Sequence, residues 1–170
     1  MSEQKKETIV QIQARTKPKI EEIIPEYLDG ESKQSLIDLL EFCYANGIKI
    51  KWAATNRWGF VFKSVGIGMI YIGKSPCMPK TPNGGVFEKN KWYTAVHLET
   101  EVVEKENLAE VIYRNVLPCV RGPKACCDTV TILGKEFENR CPESGSRFAN
   151  PDAETLGCIK KLLEYKINHI

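Results

Sequence analysis

Between Lys33 and Ala45 apolar side chains stand at Leu36, Ile37, Leu39, Leu40, Cys43 and Tyr44. That spacing follows the 3.6-residue period of a helix with one buried face. Ser32 is suited to cap its start, because a hydroxyl oxygen satisfies a free backbone N–H. Asn46-Gly47 is suited to end it, since both residues tolerate the left-handed conformation. A shorter helical spacing covers Ile20–Tyr27, where Pro25 predicts a short or broken turn and Asp29-Gly30 a stop. A further helix is predicted over 104–115, burying Leu108, Val111, Ile112 and Val116 and ending before Pro118. The last helix has Asn150 as its cap, Pro151 in its first position and Asp152 and Glu154 near its positive end. Leu156, Ile159, Leu163 and Ile167 form its buried stripe.

A two-residue alternation marks strands elsewhere. Ile48–Ala53 (IKIKWA) puts Ile48, Ile50 and Trp52 on one side, and Trp58–Lys63 (WGFVFK) puts Trp58, Phe60 and Phe62 on one side with Val61 opposite. Ile67–Ile72 (IGMIYI) and Lys91–Glu99 (KWYTAVHLE) also read as strands. The gaps at Thr55-Asn56 and Ser64-Val65-Gly66 are short enough for hairpins, so the first three strands should form an antiparallel meander. A smaller hairpin joins Thr129–Leu133 to Glu136–Glu138 through Gly134-Lys135. Thr8–Ala14 (TIVQIQA) reads as a short strand or a loosely held arm. Residues 74–91 show three prolines, two adjacent glycines and no periodicity, and are expected to form a long loop.

This order predicts an α+β fold: an antiparallel sheet of about four to six strands with helices packed mainly on one face. Residues 1–170 read as a single domain, with 119–149 a candidate cysteine-rich appendage. Composition agrees, with 42% of residues hydrophobic and 27% charged, enough apolar material for a core without a metal or disulfide. No apolar run approaches the roughly 20 residues that cross a bilayer, and the first ten residues lack a signal-peptide apolar stretch. The expected location is cytoplasmic, with no membrane partner.

Net charge is only +2, yet it is distributed in blocks. Residues 20–48 carry seven acids against one lysine, 49–94 eight basic groups against one acid, and 95–113 five acids against one lysine. Such blocks either create one positive face or neutralise one another on packing, and we expect the second.

Aromatic residues crowd the predicted strands: Trp52, Trp58, Phe60, Phe62, Tyr71, Trp92 and Tyr93, with Met69 among them. A sheet lined by rings forms a wall for a small apolar or aromatic molecule, and indole N–H, phenol O–H or guanidinium groups orient it. The candidate binding residues are therefore Trp52, Arg57, Trp58, Tyr71 and Trp92. The competing reading is an ordinary aromatic core. Nucleic acid uses such residues differently, stacking bases on exposed rings beside basic groups. In IKIKWA the lysines alternate away from Trp52, which argues against that partner.

Seven cysteines are present, five of them in the last 52 residues. An odd count without a secretory signal argues against a full disulfide framework. Cys119, Cys126, Cys127 and Cys141 together supply four sulfurs, the number a structural zinc takes, although their spacing matches no short C-x2–4-C knuckle. Lys124, Arg121 and Arg140 near the Cys126-Cys127 pair also suit a reactive thiol, but no positioned base is evident. The third reading, small buried hydrophobes, fits Cys43 and Cys158 best.

No dinucleotide fingerprint, phosphate loop, hydrolase elbow or metal-binding helix motif is present. His97 and Glu99, two apart on a predicted strand, share a face and suit either a metal or acid–base pair or a solvated strand edge. No catalytic residue is assigned. The leading expectation is a non-enzymatic small-molecule binding or sensing domain without a cofactor. The alternatives are a zinc- or thiol-dependent protein using Cys119–Cys141, and a structural or protein-interaction domain.

Overall fold

A computed structural model describes residues 7–74, 87–118, 128–140 and 144–170. Its first element, α1 (Ile9–Thr16), corrects the strand or loose arm expected at Thr8–Ala14. The Thr8 hydroxyl accepts the Gln11 N–H and the Gln11 side chain accepts the Thr8 N–H, so both ends of a capping box are satisfied. The alternation of TIVQIQA is compatible with a strand, but this cap and a tertiary anchor favour helix. The Gln13 side chain, 3% exposed, donates to Asn56 Oδ1 at 2.6 Å and accepts the Asn56 backbone N–H at 2.9 Å.

Two helices follow, α2 (Ile20–Tyr27) and α3 (Gly30–Ala45). Pro25 lies inside α2, which is only eight residues long. Helix α3 starts three residues earlier than expected, at Gly30 after Asp29, and Ser32 instead donates from within the helix to the Asn90 carbonyl. Its end falls at Asn46, with Gly47 left-handed at φ 73°, as the sequence predicts.

The main sheet comprises β1 (Lys49–Ala54), β2 (Arg57–Phe62), β3 (Val65–Ile72), β4 (Trp92–Val96) and β7 (Arg147–Ala149). It is antiparallel throughout in the order β1-β2-β3-β4-β7. The three-residue β7 was not anticipated, being too short to show alternation. A separate hairpin of β5 (Asp128–Ile132) and β6 (Lys135–Arg140) turns through Leu133 and Gly134, both at positive φ. It is tied to the body where the Tyr113 hydroxyl donates to the Leu133 carbonyl at 2.7 Å and where Ile132 is buried. A Cβ on Gly145 would lie 2.5 Å from the Ile132 side chain, so that contact requires glycine.

The helix expected over 104–115 is two helices, α4 (Thr100–Lys105) and α5 (Ala109–Arg114). Asn107 between them adopts φ 54°, which ends α4, and the Leu108 N–H turns back to the Val103 carbonyl at 2.9 Å. The final helix, α6 (Ala153–Asn168), is capped by Asp152, whose carboxylate accepts the Thr155 N–H at 2.8 Å. Asn150, expected in that role, accepts the Trp92 N–H and donates to the Asn90 carbonyl, each at 2.8 Å. It ties the end of β7 to the start of β4.

The helices cover one face of the sheet, the α+β layering the sequence predicts. Leu36, Leu39 and Cys43 of α3 and Ile159, Leu162 and Leu163 of α6 meet Trp58, Phe60, Ile70, Ile72, Trp92 and Phe148 in one core. No helix among the described residues is long and apolar enough to cross a membrane.

Candidate ligand-binding face

The register decides where each candidate binding residue lies. Trp52 pairs with Trp58, and Trp58 with Ile70, so both indoles project toward the helices. Trp92, paired with Ile72, does likewise. Trp58 is 1% exposed and Trp92 is wholly buried; their indole N–H groups donate to the Pro18 carbonyl at 3.0 Å and to Ser35 Oγ at 3.2 Å. These two tryptophans fill the core and hold α3 and the link between α1 and α2 against it. Trp52, half-buried, packs at the edge of the same core. Arg57 and Tyr71 pair with each other and point the opposite way. One site lined by all five residues is therefore corrected: the sheet lies between the three indoles and the Arg57–Tyr71 pair. A strand sends successive side chains to opposite faces, and Arg57 and Trp58 are adjacent.

The face away from the helices is built from two register rows. One crosses all five strands as Lys51, Gly59, Met69, Ala95 and Arg147. The next runs Arg57, Tyr71, Tyr93 and Ala149. Glycine and alanine keep the middle of the first row low. A hollow of about 410 Å³ forms there, lined by Arg57, Met69, Tyr71, Ala95, His97 and Arg147 among others. Its volume is within the range of small-molecule sites, about 300–1,000 Å³. The Tyr71 hydroxyl lies 3.5 Å from Met69 Sδ and Met69 is 37% exposed, so the hollow combines an aromatic ring, a thioether and cationic groups. Gly68 lines the hollow with its backbone, and on its other side a Cβ would stand 2.7 Å from the buried Phe60 ring and 2.6 Å from the Ala95 carbonyl.

Electrostatics separate the two layers. The five strands of the sheet contain no Asp or Glu and four basic residues, Lys49, Lys51, Arg57 and Arg147. All four occupy the open face. The expected mutual neutralisation of charge blocks does not describe this region: Lys49, Lys51 and Arg57 make no ion pair among the described residues. Arg57 Nε is buried without a hydrogen-bond partner among the described residues. An unsatisfied buried donor typically costs about 1–3 kcal/mol, which an acceptor placed there would relieve. The lysines do point away from Trp52 as expected, but toward the side that carries Tyr71 and Tyr93. The argument drawn from Trp52 against nucleic acid therefore does not extend to the tyrosines.

His97 and Glu99 do not form a pair on one strand face, because β4 ends at Val96. Glu99 instead accepts from Lys166 of α6 at 2.6 Å, and exposed His97 lines the open-face hollow. Alternation through β4 would have placed Ala95 and His97 with Tyr93. Nothing in the sequence pattern marked Arg147, which joins the row only through the pairing of β7.

The proposed zinc ligands Cys119, Cys126, Cys127 and Cys141 lie outside the described residues. Among the described residues, no group of three or more His, Cys, Asp or Glu side chains converges to hold a metal. Cys43 and Cys158 are free and buried. Desolvation pushes the Cys43 thiol up to about 12 and the Cys158 thiol up to about 11, which makes both poor nucleophiles. A larger groove of about 720 Å³ between α3 and α6 has Glu31, Asp38 and Asp152 on its walls and, among the described residues, no aromatic ring. Comparison with known protein families, with curated proteins and with solved structures finds no match to this chain.

Proposed function

We propose that this protein is a non-enzymatic binding or sensing domain whose small-molecule site is the hollow on the open face of the sheet. The observation that carries this reading is the conjunction of that 410 Å³ hollow with Arg57, whose buried Nε lacks an acceptor among the described residues. Tyr71 and Met69 supply apolar contact, and the floor at Ala95 lets a flat molecule approach the backbone. The concavity supports a small ligand over a nucleic-acid strand, since Tyr71 and Tyr93 are half-buried and base stacking needs ring faces offered to solvent. The reading is binding because the groups the hollow offers, the Arg57 guanidinium, the Tyr71 ring and the Met69 thioether, are suited to holding a ligand.

The test is a fragment library followed by amide NMR on the native chain and on Ala95→Phe, which fills the hollow from its floor. Fragments should shift Met69, Tyr71 and Ala95 in the native protein and be lost in a folded Ala95→Phe variant. Fragments that bind elsewhere, or bind the filled variant equally well, would remove the reading.

A further inference from the structure

We infer that the ligand of the open-face hollow is a planar ring carrying an anionic group, held by Arg57 with Lys51 in support; this rests on the reading of the hollow as the binding site. Among the described residues, the lining of the hollow includes two arginines and a histidine and no acid. Around it the sheet adds Lys49 and Lys51, again with no carboxylate in any of the five strands. The acids of the neighbouring sequence blocks lie instead on helices, such as Glu21 and Glu22 of α2, Glu31, Asp38 and Glu41 of α3, and Glu101 and Glu104 of α4. A one-signed concave surface backed by protein raises the local concentration of the opposite charge.

The chemistry of Arg57 narrows the class further. A guanidinium presents a planar fork of donors that matches a carboxylate or phosphate edge, and its Nε here is withdrawn from water with no acceptor among the described residues. An anion reaching that nitrogen would complete the fork. The ring follows from the neighbours: Tyr71 stands directly across from Arg57 in the register, and Met69 lies two residues back on the same face. A flat apolar group seated on Met69 and Ala95, against Tyr71, would leave its acidic substituent toward Arg57. Carboxylate and phosphate fit this description equally, and both are tested.

The probes are 1-naphthoate, 1-naphthyl phosphate and the neutral 1-naphthalenemethanol, titrated into the full chain with calorimetry and amide NMR. At least one anion should bind tenfold or more tightly than the alcohol, and should weaken as salt is raised. Arg57→Gln should lower that anion's affinity at least tenfold and leave the alcohol within threefold. Arg57→Lys, which keeps the charge and loses the fork, should fall between. Lys51→Gln, on the exposed edge strand, should reduce the anion's affinity less than Arg57→Gln does. Whichever acid binds more tightly identifies the source chemistry. If the alcohol binds in the hollow as tightly as both acids, or if a folded Arg57→Gln variant binds the acids unchanged, the charge assignment falls while the hollow remains a site. If none of the three shifts Met69, Tyr71 or Ala95, the site itself is wrong and the inference falls with it.

Discussion

The two faces of the main sheet are made by the same strands and differ in nearly every physical respect. Toward the helices stand Trp58, Phe60, Ile70, Ile72, Trp92 and Phe148, all at or below 1% exposure. Away from them stand Lys51, Arg57, Met69, Tyr71 and Arg147, interleaved with Gly59 and Ala95. The first face uses its rings to exclude water. The second leaves room above a low floor and surrounds it with positive charge. Aromatic density in a strand therefore does not identify a binding wall; the rings that pack best are those least able to meet a ligand.

The contrast can be broken or sharpened by measurement. The largest effect should come from Trp92→Ala, which removes a buried indole and its bond to Ser35 and should cost about 3–5 kcal/mol in urea unfolding. A loss below about 1 kcal/mol would mean the indole is not part of the packed layer. Cys43 probes the same layer chemically. With its thiol raised to about 12 by burial, its thiolate fraction at pH 8 should be about a thousandfold below that of an ordinary cysteine. Peptide mapping after brief alkylation should find Cys43 unmodified in the folded chain and modified in urea.

Gln13→Ala should cost about 1–3 kcal/mol, because it leaves the wholly buried Asn56 with unpaired groups. Thermal unfolding of this variant would show whether α1 is an integral part of the fold. Asp152→Ala should cost about 1 kcal/mol through loss of the α6 cap. The Thr155 N–H holds the Asp152 carboxyl below its ordinary value, so its contribution is present above the unfolded-state value and is lost as pH falls through the lower folded value. The stability difference between native and Asp152→Asn proteins should therefore shrink on acidification; a difference independent of pH would refute the assignment. The smallest effects belong to the open face. Arg57→Gln and Tyr71→Ala should each change stability by no more than about 0.5–1 kcal/mol, in contrast to Trp92→Ala. A large loss there would make the open face structural.

Local periodicity was enough to read much of this architecture. The alternation of IKIKWA and WGFVFK gave the correct neighbours for Ile50 with Trp52 and for Trp58 with Phe60, and the 3.6-residue spacing located α3 and α6. Where it failed at Thr8–Ala14 and at Asn150, a longer-range bond had decided. Thr8–Ala14 is a helix because Gln13 finds Asn56 across 43 residues, and Asn150 leaves the α6 cap to Asp152 because it binds Trp92. The candidate site was half legible. Arg57 and Tyr71 were recognisable, but their separation from Trp52, Trp58 and Trp92 depended on register.

What the chain determined by itself is the kind of most of its elements, Thr8–Ala14 excepted, and which residues within one strand share a side, because both follow from backbone geometry repeated over a few residues. Only the tertiary structure decided which side the helices cover. That choice placed Trp58 and Trp92 in the core, Trp52 at its edge and four basic residues on the open face, because burying cationic side chains under helices would cost far more than leaving that face to water.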